Sequence, residues 1–233
     1  MNTINKIDII IPCFNEELRI FLTLQEITKF FKNKKLKYEV IIVNDGSTDK
    51  TVDVSNNFDN IKILSNSKNF WKWFSVKKWV LKSDSDWCLV MDADSSTPIS
   101  ELDKLILYKE YDIVIWSRYL HKNWTYNSYS LFRKFISIFW NKYISKFFIK
   151  WISDTQCWFK LFKTSVAKTL FEWLFTNWFW FDLEILLKAQ NLWYKIKEID
   201  IDWKASKWSK FNPFIDPIKT LFEFIIIKSK FWW

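Results

Sequence analysis

The chain has 233 residues, of which 49% are hydrophobic, and it carries a formal net charge of +9 with a pI near 9.3. This length suits one large α/β domain or two small ones, and the hydrophobic content excludes a chain too polar to bury a core. The excess of basic residues predicts an anionic partner, such as a nucleotide, a nucleic acid or an acidic lipid.

The first 115 residues alternate between short apolar runs and amphipathic stretches. The runs are typical of buried parallel strands and span 7–12, 38–43, 61–64, 88–91 and 112–115. Helical spacing spans 16–31, 48–58, 74–82 and 99–108. In the first of these helices, the expected apolar face is Leu18, Leu22, Ile27 and Phe31. This alternation predicts an α/β fold with a mostly parallel sheet and helices on both faces.

The second half of the chain has a different pattern. Residues 154–162 run from polar to apolar, residues 181–190 have helical spacing, and residues 194–203 alternate like a strand. Residues 130–150 are aromatic and aliphatic on one side and basic on the other, and the tail 217–233 is apolar and basic. The stretch 130–150 fits a helix lying in a membrane interface. A helix packed on the core, with its lysines reaching out to water, is the alternative.

Localisation is predicted from hydropathy and cysteine usage. No run reaches 18 uninterrupted apolar residues, so we expect no membrane-spanning helix. Cys13, Cys88 and Cys157 have neither metal-ligand nor disulfide spacing, which favours a reducing compartment. We therefore expect a cytoplasmic protein that associates peripherally with the inner face of an anionic membrane.

Asp92 and Asp94 follow the fourth predicted strand and stand two residues apart. In an extended strand, two such side chains would share a direction. Two close carboxylates repel unless a cation lies between them, and hard oxygen ligands suit Mg²⁺ or Mn²⁺ together with substrate phosphates. The pair therefore predicts a metal site, and a pair of solvated turn residues is the alternative.

A second polar cluster, residues 45–49 with the sequence DGSTD, ends the second predicted strand. Ligands of parallel α/β sheets bind beyond the carboxyl ends of the strands. This position suits contacts to a base or a ribose, with Ser47 or Thr48 capping the following helix. An ordinary capped turn is the alternative.

The counts of tryptophan and glycine look exchanged, because the chain has 17 tryptophans and one glycine. An average glycine content of about 7% would give roughly 16. Several tryptophans lie beside Asn, Lys, Ser or Thr in stretches with turn composition, where glycine is expected because it reaches positive φ cheaply. We hypothesise that the gene uses UGA for glycine, so that these positions carry glycine in the native protein. The alternative is a tryptophan-rich chain with aromatics in its core or at a membrane.

Three segments occur in a recognisable order: 10–17 (IIPCFNEE), 42–49 (IVNDGSTD) and 91–94 (MDAD). Together they resemble the nucleotide-sugar-binding half of family 2 inverting glycosyltransferases, which have the GT-A fold. Segment 154–162, DTQCWFKLF, resembles the DTQCGFKLF signature of the dolichyl-phosphate β-glucosyltransferase branch. Segments 95–98, 116–118 and 178–182 also look like that branch when tryptophan is replaced by glycine. The resemblance covers roughly residues 6–210.

Departures from the family pattern concern one asparagine and many tryptophans. Asn44 stands where the family often has the first Asp of DDGS. Trp203 falls where the family itself tends to have tryptophan. Tryptophan occupies apparent family glycine positions at 71, 73, 79, 116, 151, 158, 178, 180, 193 and 208.

The resemblance implies a hexosyltransferase that moves a sugar, expected to be glucose from UDP-glucose, onto a polyprenyl phosphate such as dolichyl phosphate. It implies a single GT-A domain over 1–233, with a nucleotide-sugar-binding half (about 1–115), an acceptor half (about 116–216) and an amphipathic tail (217–233). The residues expected to hold the donor are Pro12, Asn15, Glu16, Asp45 and Lys72, with Asp92 and Asp94 holding Mg²⁺ or Mn²⁺.

The acceptor side is expected to use both basic and acidic side chains. Arg118 and Arg133 would seat the lipid phosphate, because a planar guanidinium grips phosphate through two hydrogen bonds. Surface salt bridges are the alternative for both. Asp154 and Asp182 are the remaining carboxylate candidates, and Lys210 could close over the diphosphate.

Two other functions compete with this interpretation. One keeps the nucleotide-sugar donor but uses a saccharide or protein acceptor. The other is a basic, aromatic nucleic-acid-binding domain, because stacking and positive charge suit single strands. The second leaves Asp92 and Asp94 unexplained, so we expect no nucleic-acid partner.

Overall fold

The computed structural model describes residues 4–70, 72–117, 120, 149, 152–155, 157–172, 174 and 181–201. Within these ranges the strands are β1 (Lys6–Cys13), β2 (Lys37–Asn44), β3 (Ile61–Ser65), β4 (Trp87–Val90), β5 (Ile113–Ser117), β6 (Lys160–Lys163) and β7 (Ile196–Asp200). The helices are α1 (Glu17–Phe31), α2 (Thr51–Ser55), α3 (Lys72–Val80), α4 (Leu102–Ile106), α5 (Thr164–Glu172) and α6 (Phe181–Asn191), with a 3₁₀ turn at Ile99–Glu101.

All seven strands join one sheet in the order β3-β2-β1-β4-β6-β5-β7. Pairing is parallel between β1 and β2, β2 and β3, β1 and β4, and β5 and β7. Among the strands that the structure describes, β6 alone runs antiparallel to its neighbours, β4 and β5. The predicted α/β fold with a mostly parallel sheet is confirmed.

Burial explains why the parallel strands were readable from the sequence. In β1, Ile7, Ile9, Ile10 and Ile11 are fully buried, as expected for a strand covered on both faces. In contrast, β6 and α5 were not predicted as separate elements. The strand β6 has four residues, of which three are buried, and so it shows no alternation of apolar and polar side chains.

Helix α1 is confirmed, but half of its predicted apolar face is wrong. Ile27 and Phe31 are buried as expected, whereas Leu18 is 80% and Leu22 is 58% exposed. The buried face contains Ile20, Thr23, Leu24, Ile27 and Phe31. Both sets have helical spacing, and only the direction in which the helix meets the sheet distinguishes them.

Two predicted segments lie outside the described residues. These are the basic stretch 130–150, of which Ile149 alone is described, and the tail 217–233. Among the helices that the structure does describe, none is long and apolar enough to cross a membrane. The strands β6 and β7 come from the second half of the chain and pair with β4 and β5 from the first half. The division into a nucleotide-sugar-binding half and an acceptor half stays a prediction.

The C-terminus of α6 has the hydrogen bonds of a Schellman motif. The N–H of Tyr194 donates to the carbonyl of Ala189 at 2.9 Å, and the N–H of Trp193 donates to Gln190 at 3.0 Å. This places Trp193 at the position where helices most often have glycine, and its φ is indeed +60°. Its side chain is 90% exposed. The tryptophan therefore adds backbone strain without burying its ring.

A buried polar cluster lies below the sheet's amino end, around Asp8 of β1. Ser83 Oγ donates to Asp8 Oδ2 at 2.6 Å, and Ser83 also contacts Ser85 Oγ at 2.8 Å. Asp8 Oδ1 is buried and has no hydrogen-bond partner among the described residues. Burial raises the pKa of Asp8, and the hydrogen bond from Ser83 offsets this effect only in part.

We expect Asp8→Asn to raise the free energy of unfolding at neutral pH. Since the native pKa lies above the unfolded one, native stability is greatest below the unfolded pKa and is lost as the pH rises through the native pKa. An amide does not titrate and avoids this loss. Urea denaturation of both proteins between about pH 4 and pH 7 measures the difference, which should grow with pH. A variant less stable than the parent at every pH would mean that the charged carboxylate stabilises the fold.

Candidate active site at the carboxyl edge of the sheet

The parallel strands β1, β2, β3 and β4 end at one edge of the sheet, and their polar termini meet there. The N–H of Asp45, after β2, donates to the carbonyl of Cys13 at 2.8 Å, and the N–H of Asn66, after β3, donates to Asn44 at 2.9 Å. The edge is thus connected from β1 through β3. This is where ligands of such sheets bind.

Asp45 is buried and organises the neighbouring loop. Its Oδ1 accepts hydrogen bonds from Asn66 Nδ2 at 2.8 Å and from the N–H of Phe70 at 3.0 Å. These bonds fix residues 66–70 against the end of β2. Asn66 was not identified from the sequence, because a single asparagine after a strand carries no distinctive signal.

Gly46, next to Asp45, is the chain's single glycine, and its position requires that residue. Its φ is +79°, and a Cβ placed there would lie 2.8 Å from the carbonyl carbon of Lys68. A side chain would therefore be strained by its backbone angle and would also push the 66–70 loop away.

The polar residues after β1 hold the two loops together. Asn15 has a φ of +56°, which asparagine tolerates, and its Oδ1 accepts from the N–H of Thr48 at 2.9 Å. Its own N–H donates to Ser47 Oγ at 3.0 Å. The N–H of Glu16 donates to Thr51 Oγ1 at 2.8 Å, and its carboxylate pairs with Arg19 at 2.5 Å. The observed contacts of Asn15 and Glu16 thus join the loop after β1 to the residues after β2. Contact of either residue with a nucleotide stays a prediction.

Asn44 shows what the departure from the family's aspartate does. Its Oδ1 accepts from the N–H of Ser47 at 2.9 Å, while its Nδ2 donates to Ser65 Oγ at 3.1 Å. With asparagine the amide donates to Ser65, whereas an ionised aspartate, which only accepts, would need the Ser65 hydroxyl to donate instead. Pro12 lies within β1, paired in register with Val43.

Asp92 and Asp94 come after β4, but not as an extension of the strand. The strand ends at Val90 and a turn includes Ala93 and Asp94, so the alternation that predicted a shared side-chain direction does not apply. Asp94 Oδ1 accepts from the N–H of Ser96 at 3.0 Å. Asp92 lines a pocket with Ser96, Thr97, Trp116, Trp158 and Phe159.

The donor atoms here fit a divalent cation that shares its coordination with a substrate. Both carboxylates are half-buried, and Asp92 faces the pocket. Within the described residues no group of three or more His, Cys, Asp or Glu could hold a metal ion. Mg²⁺ usually takes only one or two carboxylates and completes its coordination with phosphates and water, so two aspartates suffice.

Two tryptophans limit the size of the pocket beside Asp92. Trp116, in β5, is 3% exposed, and Trp158 packs against the ring of Phe181 with centroids 5.0 Å apart. The cavity between these residues has a volume of about 20 Å³, room for about one water molecule. This is less than the roughly 300–1,000 Å³ of typical ligand pockets.

Asp154 and Asp182 are both buried, and Asp182 lines a second pocket together with Trp158 and Lys160. Asp154 has no exposed surface, and Asp182 is 4% exposed. Asp182 Oδ1 pairs with the ammonium of Lys160, which also donates to the carbonyl of Cys157. Burial lowers the pKa of Lys160, but Asp182, Cys157 and Asp154 together outweigh this effect, so the pKa is raised. A catalytic role for either aspartate stays a prediction.

Several predicted site residues fall outside what the structure describes. These are Arg118, Arg133 and Lys210, together with the side chain of Lys72 at the start of α3. Sequence reasoning missed Lys160 and Glu198. Their only signal was position, since Lys160 lies inside the DTQC-type segment and Glu198 inside the last predicted strand.

Comparisons with known proteins agree with this geometry. The model of glycosyl transferase family 2 matches residues 8–171. The chain is 30% identical to the dolichyl-phosphate β-glucosyltransferase of Dictyostelium discoideum, across 97% of this chain and 74% of that protein. It is 31% identical to the enzyme of the same name from Drosophila melanogaster, across 90% of this chain and 70% of that one.

A solved structure shows the same fold. The glucosyl-3-phosphoglycerate synthase of Mycobacterium tuberculosis, crystallised with Mn²⁺, UDP-glucose and phosphoglyceric acid, matches with a TM-score of 0.71 at 13% identity. The match covers 97% of this chain and 80% of that one. With the family model spanning most of the sheet, and curated relatives matching along nearly the whole sequence, the chain belongs to glycosyl transferase family 2 and is a glycosyltransferase with the GT-A fold.

Proposed function

We propose that this enzyme transfers glucose from UDP-glucose to a polyprenyl phosphate, with inversion at the anomeric carbon. The observation that carries the proposal is the place of the DTQC-type segment. Trp158 and Phe159, which belong to it, line the same pocket as Asp92. Relatives that share about 30% identity along most of this chain are named dolichyl-phosphate β-glucosyltransferases.

The donor would bind along the edge built by the loops after β1, β2 and β4. Asp45 and Asn15 would contact the nucleoside, with Pro12, Glu16 and Lys72 nearby. Asp92 and Asp94 would hold Mg²⁺ or Mn²⁺ at the diphosphate. When bound, such an ion offsets the charge that develops on the leaving nucleoside diphosphate.

The acceptor phosphate attacks the anomeric carbon from the face opposite the nucleotide. A bond forms between a phosphate oxygen and this carbon, and the bond from this carbon to the diphosphate oxygen breaks. A phosphate monoester is already ionised near pH 7, so the step needs no strong general base. Arg118 and Arg133 would seat the phosphate, Asp154 and Asp182 would orient groups on the acceptor side, and Lys210 would close over the diphosphate.

A lipid acceptor requires the protein to reach a membrane surface. The basic amphipathic stretch 130–150 and the apolar, basic tail 217–233 are suited to the interface of an anionic membrane. We therefore propose peripheral association with the cytoplasmic face of such a membrane.

A binding titration distinguishes this proposal from the nucleic-acid alternative. We expect UDP to bind more tightly when Mn²⁺ is present, because Asp92 and Asp94 would hold a cation that offsets the charge of the diphosphate. A single-stranded oligonucleotide of equal charge should bind weakly and lose its binding as salt increases. Tight oligonucleotide binding with metal-independent UDP binding would contradict the proposal.

We also infer that the native protein has glycine at the tryptophan positions that match family glycines. Two structural observations support this inference besides the narrow pocket. Trp193 has the backbone angle and helix-end position typical of glycine. Trp79 has its indole N–H buried without a hydrogen-bond partner among the described residues, although buried tryptophans usually find one.

A further inference from the structure

The segment 153–159, called here the wall segment, forms one side of the pocket beside Asp92. It contains Asp154, and its last two residues, Trp158 and Phe159, line the pocket. All of it except residue 156 is described, and none of its described residues belongs to a helix or strand. The wall segment therefore depends on side chains from elsewhere for its position.

Its first anchor is Glu198, in the edge strand β7. Glu198 Oε1 accepts from the N–H of Ser153 at 2.9 Å and from the N–H of Asp154 at 2.8 Å. Glu198 Oε2 accepts a further contact from Ser153 at 2.9 Å. A half-buried carboxylate thus holds two consecutive backbone N–H groups at the start of the wall segment. Bonds from N–H groups to a charged acceptor are the stronger kind.

Its second anchor is Lys160, the first residue of β6. The ammonium contacts the carbonyl of Cys157, near the end of the wall segment, and the Asp182 carboxylate in the first turn of α6. Lys160 is paired in register with Val90 of β4 and with Ile115 of β5. Since Val90 lies two residues before Asp92, this anchor ties the wall segment to the strand that presents the metal-binding pair.

The two anchors lie on opposite sides of β5, because the sheet order is β4-β6-β5-β7. They hold both ends of the wall segment, and neither of them lines the pocket that contains Asp92. A displacement of either anchor would move the pocket wall relative to Asp92. The loops around Asp45, which are bonded to β1 and β3, would stay in place.

We propose that Glu198 and Lys160 are positioning residues that set where the acceptor lies against the donor sugar. The inference rests on the proposed function, because it assigns the wall segment to the acceptor. It predicts that weakening an anchor impairs use of the acceptor and leaves nucleotide binding unchanged. A purely structural role would instead lower stability and impair both.

The test uses three substitutions at Glu198, made in the whole chain with glycine at the tryptophan positions that match family glycines, because this is the form we expect to be active. Glu198→Leu removes both acceptor oxygens without leaving a charge, and we expect the acceptor KM to rise by roughly tenfold or more, as for lost charged hydrogen bonds. Glu198→Gln retains one carbonyl oxygen that can accept hydrogen bonds from both N–H groups. Its acceptor KM should therefore stay close to that of the parent. The Kd for UDP with Mn²⁺ should match the parent in both.

Lys160→Met should likewise raise the acceptor KM, and Lys163→Met is its matched control. Lys163 lies at the other end of β6 and pairs with Asp112 at 2.8 Å, far along the strand from the wall segment. The control should leave the acceptor KM unchanged.

If the leucine or methionine variant does not fold, Glu198→Asp becomes the decisive variant, because it keeps the charge and withdraws the carboxylate oxygens by one methylene. A raised acceptor KM in Glu198→Asp supports the proposal, and a parental value overturns it.

Hydrogen exchange gives a readout that does not depend on turnover. The amides of Ser153 and Asp154 should exchange faster in Glu198→Leu, while the amide of Asp45 should not change. Unchanged exchange at Ser153 and Asp154, or an equal loss of UDP and acceptor binding, would overturn the inference. A parent protein inactive on polyprenyl phosphate would overturn the proposed function itself, whereas an active parent with unaffected variants would overturn only this inference.

Discussion

Asp92→Asn and Asp94→Asn are each expected to lower transfer by about a thousandfold or more, because an amide cannot offset the charge of a divalent ion and several kcal/mol of transition-state stabilisation would be lost. The fold should survive, since both side chains are half-buried and lie beyond the end of β4. Steady-state kinetics across a range of Mn²⁺ concentrations would measure the loss, and UDP binding should lose its dependence on metal.

A matched control for these variants is Asp53→Asn. Asp53 is an exposed aspartate in α2, and its substitution should leave transfer and metal dependence unchanged. If Asp92→Asn or Asp94→Asn kept most of its activity under limiting metal, the assignment of the metal site would be wrong.

The second large effect concerns the tryptophans at glycine positions. A chain with tryptophan at all of them is expected to fold poorly or to be inactive, since the tryptophans at 116 and 158 line the pocket beside Asp92 and leave it little volume. Positive φ at position 193 adds a strain of about 1 kcal/mol or more. A chain with glycine at 71, 73, 79, 116, 158, 178, 180, 193 and 208, and with Trp203 unchanged, should be active.

Peptide mass spectrometry of the protein purified from its natural source measures these positions directly. We expect peptide masses that match glycine at 158 and 193 and tryptophan at 203. Trp87 provides a structural contrast, because it is buried in β4, where an aromatic residue is well suited, and Lys163 lies over its ring at 6.0 Å. Tryptophan at 73 and 158 in an active native enzyme would overturn the hypothesis.

The sheet could be predicted from the sequence because its parallel strands are buried on both faces. The apolar run from Ile7 to Ile11 favours a core strand, and the carboxyl ends of such strands locate the polar cluster at Asp45. The face of α1 could not be predicted, because Leu18 and Ile20 are both compatible with helical spacing. The direction of packing, which tertiary contacts determine, exposes the first and buries the second.

The anchors of the wall segment could not be predicted for a related reason. Glu198 reaches Ser153 and Asp154 only because β7 lies beside β5 at the edge of the sheet. Lys160 reaches Asp182 only because β6 inserts antiparallel between β4 and β5. Partners so far apart along the chain carry no local spacing that a single sequence could reveal. The turn at Asp94 could not be predicted either, since nothing in the sequence MDAD shows that the strand ends at Val90.

The most direct test of the proposed activity is to identify the lipid product. The chain with glycine at the nine positions named above would be incubated with UDP-glucose, Mn²⁺ and dolichyl phosphate, and the lipid fraction analysed by mass spectrometry and NMR. We expect a dolichyl phosphate that has gained one hexose in β configuration, and no such product when dolichol without phosphate is supplied. A well-folded protein that binds UDP but glucosylates only a soluble saccharide, or that forms the α-linked lipid, would contradict the account.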